Sequence, residues 1–580
     1  MTSLTHHLST IVGDAFDAQG LDRALGRVTV SDRPDLAQFQ CNGALAAAKA
    51  AKKNPREVAQ GIVDALQKSS IFSKIDIAGP GFINLTLTDE ALADFISTHH
   101  NDGPDIGKNT PVVIDYGGPN VAKAMHVGHL RAAIIGDSVR RTLKYAGYQT
   151  YGDVHLGDWG TNIGMLIGHY VDHGETDLVM KVDLNNAEDV ARLVDDMAER
   201  YPRSAAEAKE NPDKMDRARA AAVQLQNKEE PYYSIWEKVR AISIADIQKN
   251  YDALGVTFDL WKGEADVHDL IAPMVEDLKA KGHAIESDGA WVVPVTSNED
   301  KKEYPPLILY KRDGAVMYGT TDLATIVERI QLYQPAKIVY VVDQRQSLHF
   351  EQVFRAARLG GIAPDNVELT HAGFGTMNGT DGKPFKTRAG GVMRLEELIA
   401  MAREKAVARM DEAHIGENMD EAERADVAHK VAIAAIKFAD LQNARQADYV
   451  FDLDRLTRFE GKTGPYLLYQ AVRIKSLLRK AGDDTADAPL VIQDADRDLV
   501  LTLTQMQDAI ELALSHYAPH FLCDYAYRLA QAFSSFYGNC HILSEEDAAL
   551  RASRLRLCAM TYQTLDTVLG LLGMTIPDRM

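Results

Sequence analysis

The chain has 580 residues, with 63 lysines and arginines against 83 aspartates and glutamates, for a formal charge of -20. Its apolar share of 46% and charged share of 25% are those of folded globular chains and exclude a disordered or fibrous protein, while the length predicts about three to four domains. No stretch approaches the roughly 18 apolar residues of a bilayer span, so no membrane association is expected.

The first twenty residues carry no basic, cleavable leader pattern and include Asp14 and Asp17, so a cytoplasmic location is expected. Helical periodicity there and over 55–67 is followed by paired strand signals, Ile75 and Ile77 and then Phe82 to Leu87, around Gly79-Pro80-Gly81. Residues 1–110 therefore read as a small α+β unit. Lys49, Lys52, Lys53 and Arg56 fall on helical text and read either as a solvated face or as a polyanion contact.

From 111 the texture changes. Val112-Val113-Ile114 is a short apolar strand, followed by a glycine-containing turn, a helix over about 127–146 and another strand near 149–155. Within that helix Ala132, Ile135, Gly136, Val139 and Leu143 form one stripe, Asp137, Arg140, Arg141 and Lys144 are expected to face away, and Gly147 is the expected C′ residue. Residues 170–290 read as an inserted helical region, with helices over 189–200 and 235–254. Strands at 338–342 and near 367–370, separated by a helix over 348–359, complete a second half of the same parallel sheet. After 392 helical text runs to the end, notably over 395–409, 425–441 and 466–480. The fold expected is α/β over 111–392, with the α+β unit before it and an all-α domain over 393–580.

The four cysteines (Cys41, Cys523, Cys540, Cys558) show neither CxxC spacing nor nearby paired histidines, so neither a zinc site nor a disulfide framework is expected. The familiar phosphate loops are absent as well. Gly461-Lys462-Thr463 ends like a P-loop, but Leu456 stands where its first glycine belongs, and the glycines at 373, 375 and 379 miss the dinucleotide spacing by one residue. The turn after the first strand of the sheet offers a different solution, Pro119-Asn120-Val121-Ala122-Lys123-Ala124-Met125-His126-Val127-Gly128-His129. Two histidines three apart at a helix start can donate to phosphate oxygens that the helix dipole also favours, and Gly128 lets a nucleotide approach the backbone. Two ordinary surface histidines are the alternative.

His126-Val127-Gly128-His129 resembles the HIGH signature of class I aminoacyl-tRNA synthetases. Its surroundings narrow the resemblance to the arginyl-tRNA synthetase family: Pro119 to Lys123 before it, Gly157-Asp158-Trp159-Gly160-Thr161 after it, and Asp381-Gly382-Lys383-Pro384-Phe385-Lys386-Thr387-Arg388 in the KMSKS position. Gly81-Phe82-Ile83-Asn84 resembles the family's N-terminal tRNA-binding domain. Thr463-Gly464-Pro465-Tyr466-Leu467-Leu468-Tyr469 and the terminal Pro577-Asp578-Arg579-Met580 resemble its helical anticodon-binding domain. The likeness spans essentially the whole chain.

The resemblance implies a Rossmann-like catalytic domain that joins L-arginine to its tRNA through an arginyl-adenylate, using ATP with Mg²⁺. It implies catalytic roles for His126, His129, Lys123 and Lys386, and ATP contacts for Gly128, Lys383 and Arg388. Lys123 takes the place of a lysine that the degenerate KMSKS loop lacks. Tyr318 and Asp322 hold the arginine side chain, Asp115 and Asn120 its α-amino and carboxylate end, and Gln346 assists. Phe82, Asn84, Tyr466, Tyr469, Arg473 and Met580 contact tRNA, and a monomer is expected.

The residues themselves support parts of this. A guanidinium never loses its charge and calls for carboxylate acceptors, and Asp322 follows Tyr318 by four, which puts both on one helical face if the helix starts early enough. Otherwise Asp322 is the N-cap of a helix over 323–330. Tyr466, Tyr469, Gln470 and Arg473 share a helical arc suited to unpaired bases, but could equally be part of a core stripe. Arg473, Lys475, Arg479, Lys480, Arg551, Arg554 and Arg556 offer a local basic patch that the net charge hides. Another class I synthetase or nucleotidyltransferase with the same phosphate site is the competing enzyme, disfavoured by the pocket carboxylates and the helical C-terminal domain. A non-catalytic RNA-binding relative would be expected to lose the histidines or the lysine loop.

Overall fold

A computed structural model describes residues 3–33, 35–98, 103–312, 314–383, 393–482 and 489–580. The N-terminal unit comprises helix α1 (Leu4–Asp17), strands β1 (Val28–Val30) and β2 (Phe39–Cys41), helices α2 (Gly43–Ala51) and α3 (Pro55–Leu66), the hairpin β3 (Phe72–Ala78) and β4 (Phe82–Leu87), and helix α4 (Asp89–Ser97). Its antiparallel sheet has the order β1-β2-β4-β3. Ser3 caps α1 by accepting from the His6 N–H, and Asn54 with Pro55 at the first helical position starts α3. The basic cluster does not share one helix face: α2 ends at Ala51, Lys52 turns left-handed at φ 52°, and Arg56 opens α3 with its Nη1 donating to the Gly79 carbonyl. It forms a helix-turn-helix corner instead.

The sheet that follows is built from β5 (Pro111–Tyr116) and β6 (Gln149–Asp153), joined by α5 (Leu130–Tyr145), and from the distant β10 (Lys337–Val341) and β11 (Glu368–His371), joined by α13 (Ser347–Leu359). All pairings are parallel, in the order β11-β10-β5-β6. Both faces are covered. Val112, Ile114, Val339 and Val341 point into one core and Val113, Ile338 and Tyr340 into another, the period-two alternation of a two-sided sheet. Because the two halves run outward from the β5/β10 contact, the strand order reverses there, which opens a crevice at the carboxyl ends of those two strands.

Between the halves lie α6 (Thr161–Asp172), α7 (Thr176–Met180), α8 (Ala187–Glu210), α9 (Pro212–Gln226), α10 (Tyr232–Leu254) and α11 (His268–Ala280). They are followed by a small antiparallel sheet, β7 (Ile285–Ser287), β8 (Ala290–Val293) and β9 (Leu307–Tyr310), which the sequence pattern did not disclose, and by α12 (Tyr318–Tyr333). Short strands of three or four residues leave little alternation to read.

The remainder is helical: α14 (Leu395–Glu412), α15 (Glu421–Leu441), α16 (Leu453–Leu456), α17 (Gly464–Ala481), α18 (Asp494–Leu503), α19 (Met506–His516), α20 (His520–Asn539) and α21 (Ala548–Leu571). One short parallel pairing, β12 (Met377–Asn378) with β13 (Tyr449–Val450), ties it to the sheet domain. α17 crosses α15 closely at Gly464, where a Cβ would stand 2.1 Å from the Ala434 carbonyl oxygen. The four cysteines are buried thiols, and among the described residues no helix is long and apolar enough to cross a membrane.

The expected stripe of α5 is buried, and each large apolar side chain on it contributes about 1.5–3 kcal/mol. Its charged face, expected in solvent, needs correction. Asp137 and Arg140 are 1% and 8% exposed because the helical domain covers the helix from its other side. Their charges are matched: Arg141 pairs with Asp137 at 2.6 Å and Arg140 with Asp259 at 3.0 Å. Farther along, Arg131 meets the buried Asp440 of α15 at 2.9 Å. Only Lys144 of that set is exposed.

Candidate active site

The phosphate turn leaves β5 through Gly117 and Gly118, both at positive φ, and enters a one-turn 3-10 helix over Val127–His129 that runs into α5. Its shape fixes the tautomers of the two histidines. The Gly128 N–H donates to His126 Nδ1 and the His126 N–H to His129 Nδ1, each at 3.1 Å. Both Nδ1 atoms are therefore acceptors, and each ring carries its proton on Nε2. The rings stack with centroids 4.0 Å apart. Burial pushes the His129 pKa down to about 3, with His126 and Lys123 adding to the shift, and burial and Lys123 lower His126. At neutral pH the pair offers two uncharged N–H donors. A Cβ on Gly128 would lie 2.8 Å from the His126 ring, so a glycine is required for this packing as well as for ligand approach.

The turn is anchored by strand-like bonds to the residues that follow the lysine loop: the Val127 N–H donates to the Met393 carbonyl and the Leu395 N–H to the Met125 carbonyl. Lys383 is exposed in a turn closed by the Gly379 N–H on its own carbonyl. Lys386 and Arg388, with Pro384, Phe385 and Thr387, lie outside the described residues. Lys123 is exposed three residues before His126. Asn120 is also exposed and bridges to Gly157, and Gln346 stands exposed on the turn after β10, so both flank the switch-point crevice.

α12 begins at Tyr318, with Met317 as its N-cap, so Asp322 lies in the second turn and does not cap the helix. Tyr318 is 64% exposed, and Asp322 accepts from His349 Nε2 at 2.5 Å. A second carboxyl, Glu264, is coupled electrostatically to both. Burial pushes Glu264 up to about 7, and the nearby Asp158 and Asp322 raise it further against the pull of His155.

Asp115 is 6% exposed and has its Oδ2 engaged, because Arg329 Nη2 reaches Asp115 at 2.5 Å and Asp153 at 2.6 Å. Burial raises the Asp115 pKa against the opposing pull of Arg329. The ligand atoms of Asp115, Asp153 and His155 lie within 4.8 Å of one another, and Arg329 already pairs with both carboxylates of this set.

The residues assigned to tRNA divide into two groups. In the N-terminal sheet Phe82 is half-buried, while Asn84 is 6% exposed with its carbonyl accepting from Gln40. In the helical domain Tyr469, Arg473, Lys480 and Met580 line one groove with a volume of about 230 Å³. Arg473 sits 4.0 Å over the Tyr537 ring. Tyr466 turns instead toward Tyr527, and Gln470 is buried. The proposed basic patch loses Arg554, which is 5% exposed and paired with Glu545, and Lys475 is paired with Asp578.

Sequence reasoning missed Arg329 and Glu264. Arg329 follows Tyr318 and Asp322 at positions i+11 and i+7, so helical periodicity alone could have placed it on their face. Glu264 reaches the site from a separate one-turn helix, and nothing local marks it.

Three family profiles match the chain: "tRNA synthetases class I (R), catalytic domain" over 92–453, "DALR anticodon binding domain" over 467–580, and "Arginyl tRNA synthetase N terminal domain" over 2–87. Arginine-tRNA ligases of Maricaulis maris (strain MCS10) and Hyphomonas neptunium (strain ATCC 15444) are each 47% identical, with all of both chains covered. Among solved structures, the arginyl-tRNA synthetase of Plasmodium falciparum superposes with a TM-score of 0.83 at 26% identity, and that of Thermus thermophilus with 0.82 at 23%, each over both full chains.

Proposed function

The chain belongs to the arginyl-tRNA synthetase family, and we propose from that premise how its own residues carry out the reaction. The enzyme joins arginine to its tRNA in two steps. The arginine carboxylate attacks the α-phosphorus of ATP and pyrophosphate leaves, and the arginyl group then passes to the terminal ribose of the tRNA. A carboxylate nucleophile needs no base at neutral pH, so the first step depends on positioning and on stabilising charge at the phosphoryl oxygens.

His126 and His129 supply that stabilisation through their Nε2–H groups, which the backbone bonds to Nδ1 aim outward. Lys123 adds a point charge beside them, with Lys383, Lys386 and Arg388 serving the phosphates from the lysine loop. Mg²⁺ arriving with ATP neutralises further phosphate charge without an all-protein cage. Tyr318, Asp322 and Glu264 hold the guanidinium, Asp115 is held in place by Arg329 for the α-amino group, and Asn120 and Gln346 close the carboxylate end. Tyr469, Arg473 and Met580 line the groove for unpaired anticodon bases, with Tyr466 nearby, and Phe82 and Asn84 serve a second contact on the N-terminal unit. One chain carries both tRNA contacts, which supports a monomer working on cytoplasmic tRNA.

The observation that carries this reading is that Asp322, one turn into α12 beneath Tyr318, lies near enough to the buried Glu264 for its charge to raise that carboxyl. Charging of total tRNA by the purified protein with labelled arginine, lysine and glutamine tests it. Arginine alone should be incorporated, and equal incorporation of lysine would overturn the guanidinium assignment.

A further inference from the structure

Helix α8 belongs to the inserted helical region, yet it reaches the phosphate turn twice. Lys123 Nζ lies 4.5 Å from the centroid of the Tyr201 ring. Asp195, on the same helix, pairs with Arg394 at 3.0 Å, and Arg394 bridges backbone to backbone with His126. Burial raises the Tyr201 phenol to about 12, and Tyr318 adds to the shift.

The character of the Lys123 contact is informative. Burial lowers the pKa of this ammonium, and among the described residues no carboxylate pairs with it. A carboxylate partner would orient the side chain but would also neutralise the charge that a transferring phosphate needs, and would have to be displaced whenever ATP entered. An aromatic face attracts the cation through its quadrupole and leaves the charge, and the N–H donors turned away from the ring, available.

We propose that Tyr201 is a positioning residue for adenylate formation, its ring holding the Lys123 ammonium, uncommitted to any carboxylate, at the place where the ATP phosphates arrive. The proposal rests on the reading of Lys123 as a phosphate ligand. It gives the inserted helical region a part in the chemistry that neither its sequence nor its distance along the chain suggests.

The test is ATP-pyrophosphate exchange by the full-length protein with tRNA and arginine present, using Lys123→Met, Tyr201→Leu, Tyr201→Phe and the double variant Lys123→Met/Tyr201→Leu. Tyr201→Leu should lower kcat/KM for ATP about tenfold, the scale of a partly desolvated cation-π contact, while tRNA affinity is unchanged. Tyr201→Phe, which keeps the ring, should stay within about twofold of wild type. On the Lys123→Met background Tyr201→Leu should add nothing, because the group it positions is gone. Wild-type exchange by Tyr201→Leu, an undiminished loss on the Lys123→Met background, or failure of Phe to rescue would each overturn the proposal. If Lys123→Met itself exchanges normally, the phosphate reading of Lys123 falls, and the role of Tyr201 falls with it.

Discussion

At the scale of single residues the site works by fixing protonation states before substrate arrives. His129 stays neutral because burial holds its pKa near 3, and its Nδ1 is occupied by a backbone N–H, so Nε2–H is the donor it presents. Replacing it by alanine should cost roughly 10²-fold or more in charging rate, the scale of losing one transition-state donor. Near-normal turnover of His129→Ala would remove the phosphate role. Glu264 behaves in the opposite way. With its carboxyl held up at about 7 in the free enzyme, it is increasingly protonated as pH falls below 7, and a guanidinium binds best to the ionised form. The arginine KM should therefore rise as pH falls from about 8 to 6, approaching tenfold per unit at the acid end, and Glu264→Gln should show a high KM with no such slope. A flat wild-type profile would contradict the assignment. That Tyr318 and Asp322 share a face was legible only on the condition that the helix begins early enough, because four residues make one helical turn but an N-cap at Asp322 fits the same text, and α12 does begin at Tyr318. Glu264 was not legible, since the chain folds it into place from a separate element.

Among the elements, α5 shows what amphipathic reading can and cannot supply. Its apolar stripe was legible because the sheet side is purely apolar. Its buried charged side was not, because Arg140 is matched by the distant Asp259 and the Asp137–Arg141 pair of the same helix is covered by the helical domain, and a charge pattern alone reads as solvent. The same helix starts at His129 and is held to α15 by Arg131 and Asp440, whose side chains are 3% and 0% exposed. Removing one partner of a buried pair strands the other, at a cost of about 3–5 kcal/mol. Asp440→Leu should lower the denaturant midpoint accordingly, while Arg131→Met/Asp440→Leu should recover much of the loss. An unchanged midpoint for Asp440→Leu would show that the pair does not hold the helix. The parallel strands β5 and β10 were readable as apolar runs, whereas β7 to β9, half exposed and three or four residues long, carried too short a pattern to stand out.

For the whole molecule, the net charge of -20 conceals where a polyanion can bind. The groove on α17 keeps Arg473 and Lys480 at its lining, although several neighbouring cations are spent on carboxylates. Binding of tRNA should still release counterions, so affinity should fall at least about tenfold between 50 and 200 mM salt. A salt-independent affinity would argue against phosphate contacts. The order of the regions was legible because each has its own periodicity. The way the helical domain closes over α5 and brings Lys437 to the Gly573 carbonyl at 2.8 Å is a property of the assembled chain and has no local signature.

On the proposed reading, paired carboxyls at the switch-point crevice recognise the positive charge of the arginine side chain. Citrulline has nearly the same shape without the charge, so tRNA charging kinetics of wild type and Asp322→Asn with arginine and with citrulline test the claim directly. Wild type should use arginine and reject citrulline by a factor of about 10³ or more, and Asp322→Asn should raise the arginine KM at least about tenfold with tRNA affinity and melting temperature unchanged. An Asp322→Asn enzyme that keeps the wild-type arginine KM and only melts earlier would contradict it.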